Sequence, residues 1–284
     1  MQQLSQYISE KLKIRNRKND KIVPESKEEL QKIINTRISE AVTKIRNGQL
    51  DFDEFILDLN DIDVSYIEDM SALFSRAHDN HSVKLDISTW DTGFVKNMSE
   101  MFFNYRAHVI GLENLDVSNV TNMSDMFTYF TESRIFNNGC FSNWNDSKCT
   151  NMQNMFKGCM YWDGKGIENW DVSNVTDMYC MFYDCNAFDG DLQNWDVSNV
   201  IYMQQMFYMC SKFDGMGLQN WKLPKLEKAS YMFGECKALD VDLSDWELSN
   251  NPNNNNGNFK QMFYHCNTLK KKRKIPKWNK YIIN

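Results

Sequence analysis

No stretch of this sequence is apolar for long enough to span a membrane. Its first residues, MQQLSQYISEKLKIR, lack the basic start, the apolar core and the small-residue cleavage site of a secretory signal. The expected location is therefore the cytoplasm or the inside of a particle. Histidine is scarce, with four copies at His78, His81, His108 and His265. No nucleophile–base pair, glycine-rich phosphate loop or metal-ligand spacing accompanies them, so neither an enzyme nor a cofactor or metal site is expected. Basic residues are thin where nucleic acid would need them. Residues 51–269 carry 14 Lys and Arg against 32 Asp and Glu, whereas residues 1–50 carry 11 against 6 and residues 270–284 carry 7 against none. A body of that sign does not neutralise phosphates, but it would draw in a basic protein surface.

What the sequence has in abundance is itself. The strings IENWDVSNVTDMYCMFYDC, LQNWDVSNVIYMQQMFYMC and LENLDVSNVTNMSDMF align without gaps, and the alignment extends to Phe74, Phe102, Phe127, Phe156, Phe182, Phe207, Phe233 and Phe263. These eight lie 28, 25, 29, 26, 25, 26 and 30 residues apart. Twelve residues before each sits a large apolar residue, from Ile62 and Trp90 to Trp195 and Trp221. The last, Trp246, stands further from its Phe because the Asn-rich stretch 250–258 intervenes. Alternation around Leu192, Asn194 and Trp195 predicts a short strand. Asp196, Ser198 and Asn199 predict a turn, and Met203, Met206, Phe207 and Cys210, spaced i, i+3, i+4, i+7, predict a helical turn. A unit this small cannot bury its own apolar face, so it is expected to stack on its neighbours with strands in parallel.

The unit NWDVSNVTxMxxMFxxC resembles the BspA-type leucine-rich repeat of about 25 residues, also met in mycoplasma lipoproteins, over roughly residues 55–268. The resemblance implies an α/β repeat solenoid, a right-handed leucine-rich-repeat-like parallel stack of about eight coils used for protein contact. Proteins similar to it are usually bacterial surface adhesins, which makes the cell surface, reached by a non-standard route, an alternative location. The expected organisation is a helical N-terminal cap over 1–54, the repeats over 55–268 and a basic C-terminal cap or tail over 269–284. Within the cap, Ser26-Lys27-Glu28-Glu29 is a capping box. Leu30, Ile33, Ile34, Ile38, Ala41, Val42 and Ile45 behind it trace one helical stripe ending near Gly48. A shorter helix is expected around Leu4–Leu12, and Ile275, Trp278 and Tyr281 are expected to close the far end.

Five of the eight cysteines, Cys159, Cys185, Cys210, Cys236 and Cys266, fall three residues after the repeat Phe. One thiol per repeat at one phase marks a small, reduced core residue rather than a disulfide or zinc framework. Thirteen of the 17 methionines fill two further core columns. The Asn that usually precedes the Trp (Asn143, Asn169, Asn194 and Asn220, with Asn114 before Leu115) predicts an amide ladder, and the Asp column after it (Asp63, Asp91, Asp116, Asp171, Asp196) predicts turn capping rather than calcium. Two outward faces remain for a protein partner. One is polar and acidic: Asp58, Asp86, Glu113, Glu168, Asp191, Gln193, Gln219 and Asp242. The other is an aromatic stripe: Phe103, Tyr183, Tyr208 and Tyr264. The run Lys270, Lys271, Lys272, Arg273 and Lys274 is a weaker candidate for nucleic acid or an anionic surface. The leading expectation is a binding scaffold that docks a protein, the alternative a component of a larger assembly such as a virion or surface layer.

Overall fold

The structure is a computed structural model that describes residues 21–75, 83–248, 258–271, 274–276 and 278. The expected Leu4–Leu12 helix, His78, His81, Lys272, Arg273 and Tyr281 lie outside them.

Helix α1 spans Lys27–Arg46. It starts where the sequence says it should. The Ser26 hydroxyl accepts the Glu29 amide at 3.2 Å, and the Glu29 carboxylate accepts the Glu25 amide at 2.6 Å. The chain leaves the helix through Gly48 at φ +67°, a left-handed residue that suits glycine. Leu30, Ile34, Ile38 and Ala41 are buried against the first repeat. Polar groups finish that junction. Gln31 donates to the Leu73 carbonyl at 2.8 Å, Lys27 reaches Asp69 at 3.0 Å, and Arg37 holds Asp61 through two bonds of 2.6 Å.

Three short strands follow, β1 (Ile56–Asp58), β2 (Lys84–Asp86) and β3 (Val109–Ile110). They form one parallel sheet in the order β1-β2-β3, in which Leu57 pairs with Leu85 and Leu85 with Val109. Beyond it the described chain is mostly turns, with 3-10 segments at Leu112–Asn114, Ser133–Asn138 and Leu218–Asn220 and a short helix α2 at Asn267–Lys271.

This corrects the expected fold class. The α/β leucine-rich-repeat-like solenoid of about eight strand-and-helix coils is not what forms. Among the described residues regular strands are confined to β1–β3, and neither the strand expected at Leu192–Trp195 nor the helical turn expected at Met203–Cys210 exists. The reason lies in the backbone. In each described Phe-centred segment the residue two before the Phe has a positive φ, from Ala72 through Asp125, Cys180 and Gln205 to Gln261. The residue two after it does so as well, at Asn104, Tyr129, Gly158, Asp184, Met209, Glu235 and His265. A left-handed residue every fourth position cannot belong to a right-handed α-helix. The segment instead closes successive turns, Met206 N–H to Met203 carbonyl at 3.2 Å, Tyr208 to Gln205 at 3.1 Å and Cys210 to Phe207 at 3.0 Å. The intervening amides point across. Met203, Gln205, Phe207 and Met209 donate to Lys228, Ser230, Met232 and Gly234 of the next repeat at 2.8–2.9 Å. Apolar residues three and four apart thus face inward from linked turns as they would from a helix, and the two geometries share one sequence spacing.

The same crossing bonds recur between neighbours, and isolated parallel bridges link Asp69, Asn97, Asn122, Asn151, Asp177, Tyr202 and Lys228 in succession. Inside, the eight repeat Phe rings lie face to face in one column, with centroids from 5.2 Å (Phe74–Phe102) to 5.9 Å (Phe156–Phe182) apart. The polar edges of core residues are satisfied by the preceding repeat. Trp90, Trp144, Trp170, Trp195, Trp221 and Trp246 each donate their indole N–H to a backbone carbonyl there at 2.8–3.2 Å. Trp278 continues that column by donating to the Trp246 carbonyl at 2.9 Å. The thiols of Cys159, Cys185, Cys210, Cys236 and Cys266 are buried and donate to the carbonyls of Phe127, Phe156, Phe182, Phe207 and Phe233. All eight cysteines are free thiols.

Candidate protein-docking face

The acidic candidates turn out to hold corners of the chain. Asp58, Asp86, Asp191 and Asp242 each accept, on one carboxylate oxygen, the amide two residues on: Asn60 at 2.9 Å, Ser88 at 2.9 Å, Gln193 at 3.0 Å and Ser244 at 3.0 Å. This is the Asx-turn, in which a short side chain replaces a backbone acceptor. Hydrogen bonds to the charged form hold Asp86 and Asp242 below the usual carboxylate range, through Ser88 and Asn60 for Asp86 and through Ser244 for Asp242. The second Asp column does the same work, as Asp63, Asp91, Asp116, Asp171 and Asp196 cap Ser65, Gly93, Ser118, Ser173 and Ser198. Glu168 accepts the Gly166 amide at 2.9 Å. Glu113, Gln193 and Gln219 are exposed. The Asn ladder is partial: Asn114 reaches the Ser88 carbonyl at 2.9 Å and Asn194 reaches Asn169 at 3.2 Å, while a second amide column, Asn119, Asn174 and Asn199, bonds the preceding repeat throughout at 2.7 Å.

The aromatic candidates behave differently. Phe103, Tyr183, Tyr208 and Tyr264 lie along one ladder column, whose intervening members are Thr128, Lys157 and Gly234. Tyr183 and Tyr208 stack at 5.2 Å. Gly234 leaves a gap in the next repeat, and Tyr208 leans over it, since a Cβ there would lie 2.6 Å from the Tyr208 ring. Tyr231, from the neighbouring column, stands across the gap, edge-on to Tyr208 at 6.2 Å and to Tyr264 at 5.9 Å. Tyr264 in turn stacks on His265, which contacts the Glu235 carboxylate at 2.5 Å. At the other end Lys157 places its ammonium 5.2 Å from the Tyr183 ring and 5.9 Å from the Tyr129 ring. Tyr129 is 45% exposed and Met209, beside Tyr208, 40%. Burial first, then the neighbouring Tyr208 for Tyr183 and Glu235 for Tyr208, pushes both phenols above their ordinary range. Phe103 sits apart, separated from the tyrosines by Thr128 and Lys157.

The sequence therefore located three of the ribbon's tyrosines. It missed Tyr129, Tyr231 and Glu235, which belong to other columns, and Lys157, which stands in the tyrosines' own column; the Tyr129 and Tyr208 rings lie over Gly158 and Gly234, which carry no side chain. Those two glycines were the available signal. A cleft of about 330 Å³ beside β3 is lined by His108, Glu113, Ile135 and Cys140 among others. Burial, then Glu113, pushes the Cys140 thiol up to about 12. Among the described residues no group of three or more His, Cys, Asp or Glu converges as a metal site, and no helix is long and apolar enough to cross a membrane. Of the basic run, Lys274 is tied back, its ammonium contacting Asp240 at 3.0 Å.

Comparison with curated proteins and with solved structures gave no match. One family matches three times in overlapping spans, residues 23–138, 126–246 and 159–278. Overlap of that kind is what a repeat protein produces when its units can be aligned in more than one phase. Matched over most of its length, the chain belongs to the family described as Mycoplasma protein of unknown function, DUF285.

Proposed function

We propose that this repeat protein is a non-enzymatic scaffold that docks a protein partner, in the manner implied by its resemblance to BspA-type repeats, and that the tyrosine ribbon is the docking face. The observation that carries this is the contrast between the two outward faces. On the acidic face Asp58, Asp86, Asp191 and Asp242 already cap turns. On the ribbon, Tyr183, Tyr208, Tyr231 and Tyr264 form a run of rings flanked by exposed Tyr129 and Met209. Aromatic residues and Met are enriched at protein interfaces and dominate their energetics. The test is site-specific photo-crosslinking in the native cell, with the reactive group placed at Tyr208 or, among the acidic candidates, at Glu113. One discrete adduct at Tyr208 and none at Glu113 is the expected result. Capture at Glu113 alone moves the docking face, and no adduct at either position removes the binding reading.

A further inference from the structure

The ribbon's chemistry also says what kind of partner it fits. A cation over the face of an aromatic ring is attracted by the ring quadrupole, and a nearby carboxylate adds to the pull. This protein already uses that contact on its own surface. Lys157 lies between Tyr129 and Tyr183, Lys228 stands 5.1 Å from the Tyr202 ring, and the Arg134 guanidinium lies 4.5 Å over Tyr161. Contacts of this kind occur here at about the ordinary frequency of one per 70–80 residues, so it is the position of one of them that matters. Lys157 is the informative case, because it occupies the same ladder column as Tyr183, Tyr208 and Tyr264. It shows how an ammonium seats at one end of the ribbon. At the other end Tyr208, Tyr231 and Tyr264 meet nearly at right angles, 72° and 69°, with Glu235 beside them at 25% side-chain exposure. Asp184, next in the chain to Tyr183, gives its backbone amide to the Tyr208 carbonyl at 2.8 Å, and one of its carboxylate oxygens accepts the Asn186 side-chain amide at 2.7 Å. Beyond the ribbon, the 32 acidic against 14 basic residues of 51–269 set the long-range sign.

We infer that the Tyr183–Tyr208–Tyr231–Tyr264 ribbon, with Asp184 and Glu235, docks a lysine- or arginine-bearing peptide segment of a protein partner. The inference rests on the docking reading above and adds the partner's chemistry. Long-range attraction brings the segment in, and the rings and two carboxylates hold its cationic side chains where Lys157 already models the contact.

The test uses the full chain and fluorescein-labelled oligoarginine and oligolysine peptides, with oligoglutamate as the opposite-charge control, followed by anisotropy at about 0.15 M ionic strength. The basic peptides bind and oligoglutamate does not. The pair Tyr208→Ala with Tyr264→Ala weakens binding by about tenfold. Glu235→Gln weakens it severalfold, Tyr208→Phe keeps it because the ring remains, and Glu113→Gln, outside the ribbon, leaves it unchanged. Unchanged thermal unfolding of the variants separates lost contact from lost fold. Equal binding by every variant, abolished together by added salt, overturns the inference, because attraction then belongs to the acidic body as a whole. Absence of any basic-peptide binding overturns it too. Should the Tyr208 crosslink still capture a partner in that case, the docking reading survives and only the partner's sign is wrong.

Discussion

Asp146 occupies a position that its counterparts fill with Val117, Val172 and Val197, and Cys149 stands where they have Val120, Val175 and Val200. The substitution puts a carboxyl group into the core at 1% exposure. One oxygen accepts the Asp171 amide at 3.1 Å and the other has no partner. Desolvation raises its pKa from the ordinary 3.8 to about 7, with the Asp171 charge adding to the rise. A carboxyl whose folded pKa lies above its unfolded value keeps its proton in the fold while the unfolded chain has released it. Stability therefore falls as pH climbs from about 4 to about 7 and stays level above that. Restoring the apolar residue removes the penalty. Asp146→Val is expected to stabilise the protein at pH 8 by a few kcal/mol, on the order of the three-unit rise, and by clearly less at pH 5. Urea midpoints of both proteins at the two pH values check this, and an equal gain at each would show that the residue is not protonated in the fold. The repeat alignment sets this residue against Val117, Val172 and Val197, a departure that a search for repeated residues passes over. What the sequence could not supply was the missing partner of its second oxygen, a property of the surrounding packing.

At the scale of elements, α1 and the repeat segments were unequally legible. The helix was readable because its signals are local: a Ser hydroxyl, a Glu three residues on, one apolar stripe and a terminating glycine. Ser26→Ala removes the bond to the Glu29 amide and is expected to lower stability by about 1 kcal/mol, seen as a lower thermal midpoint. The segment Met203–Cys210 was misread as a helical turn because spacing records which residues face inward and not how the backbone gets them there. The left-handed residues that decide the matter are Glu100, Asp125, Asn154, Cys180, Gln205 and Tyr231, which share no side-chain type and so leave no signature. The two geometries nevertheless predict opposite responses to glycine. In a helix, Gln205→Gly costs nearly 1 kcal/mol, whereas at a φ of +55° it relieves an unfavourable backbone state of similar size. The observed turns require Gln205→Gly to be neutral or stabilising. Denaturation midpoints decide it, and a loss near 1 kcal/mol would restore the helical description.

Across the whole molecule the period carried most of what the sequence could tell. Phe, Met, Trp and Cys at fixed phase gave the core columns correctly, since a residue that recurs once per unit meets its copies when units lie in register. The period also hid something, because the ribbon depends on departures from it: Gly158 and Gly234 where larger residues would sit, and Tyr231 crossing between columns. On the proposed docking reading, function resides in the departures and stability in the repetition. Those roles can be separated by excising residues 183–207, which joins Phe182 to Tyr208 and removes one 25-residue interval. The crossing amides of Phe182 and Asp184 now bond to Met206 and Tyr208. In the shortened chain the amides of Phe182 and Met209 would instead meet Met232 and Gly234, keeping the ladder register. Stability of such chains is approximately a sum over units and their junctions. The shortened protein is therefore expected to unfold cooperatively at a moderately lower temperature, with its near-ultraviolet aromatic dichroism retained. It loses Tyr183 and its stacking on Tyr208, so affinity at the ribbon falls further than stability does. If the deletion instead abolished cooperative unfolding, the repeats would not be interchangeable, and columns of like residues would no longer explain why this chain folds.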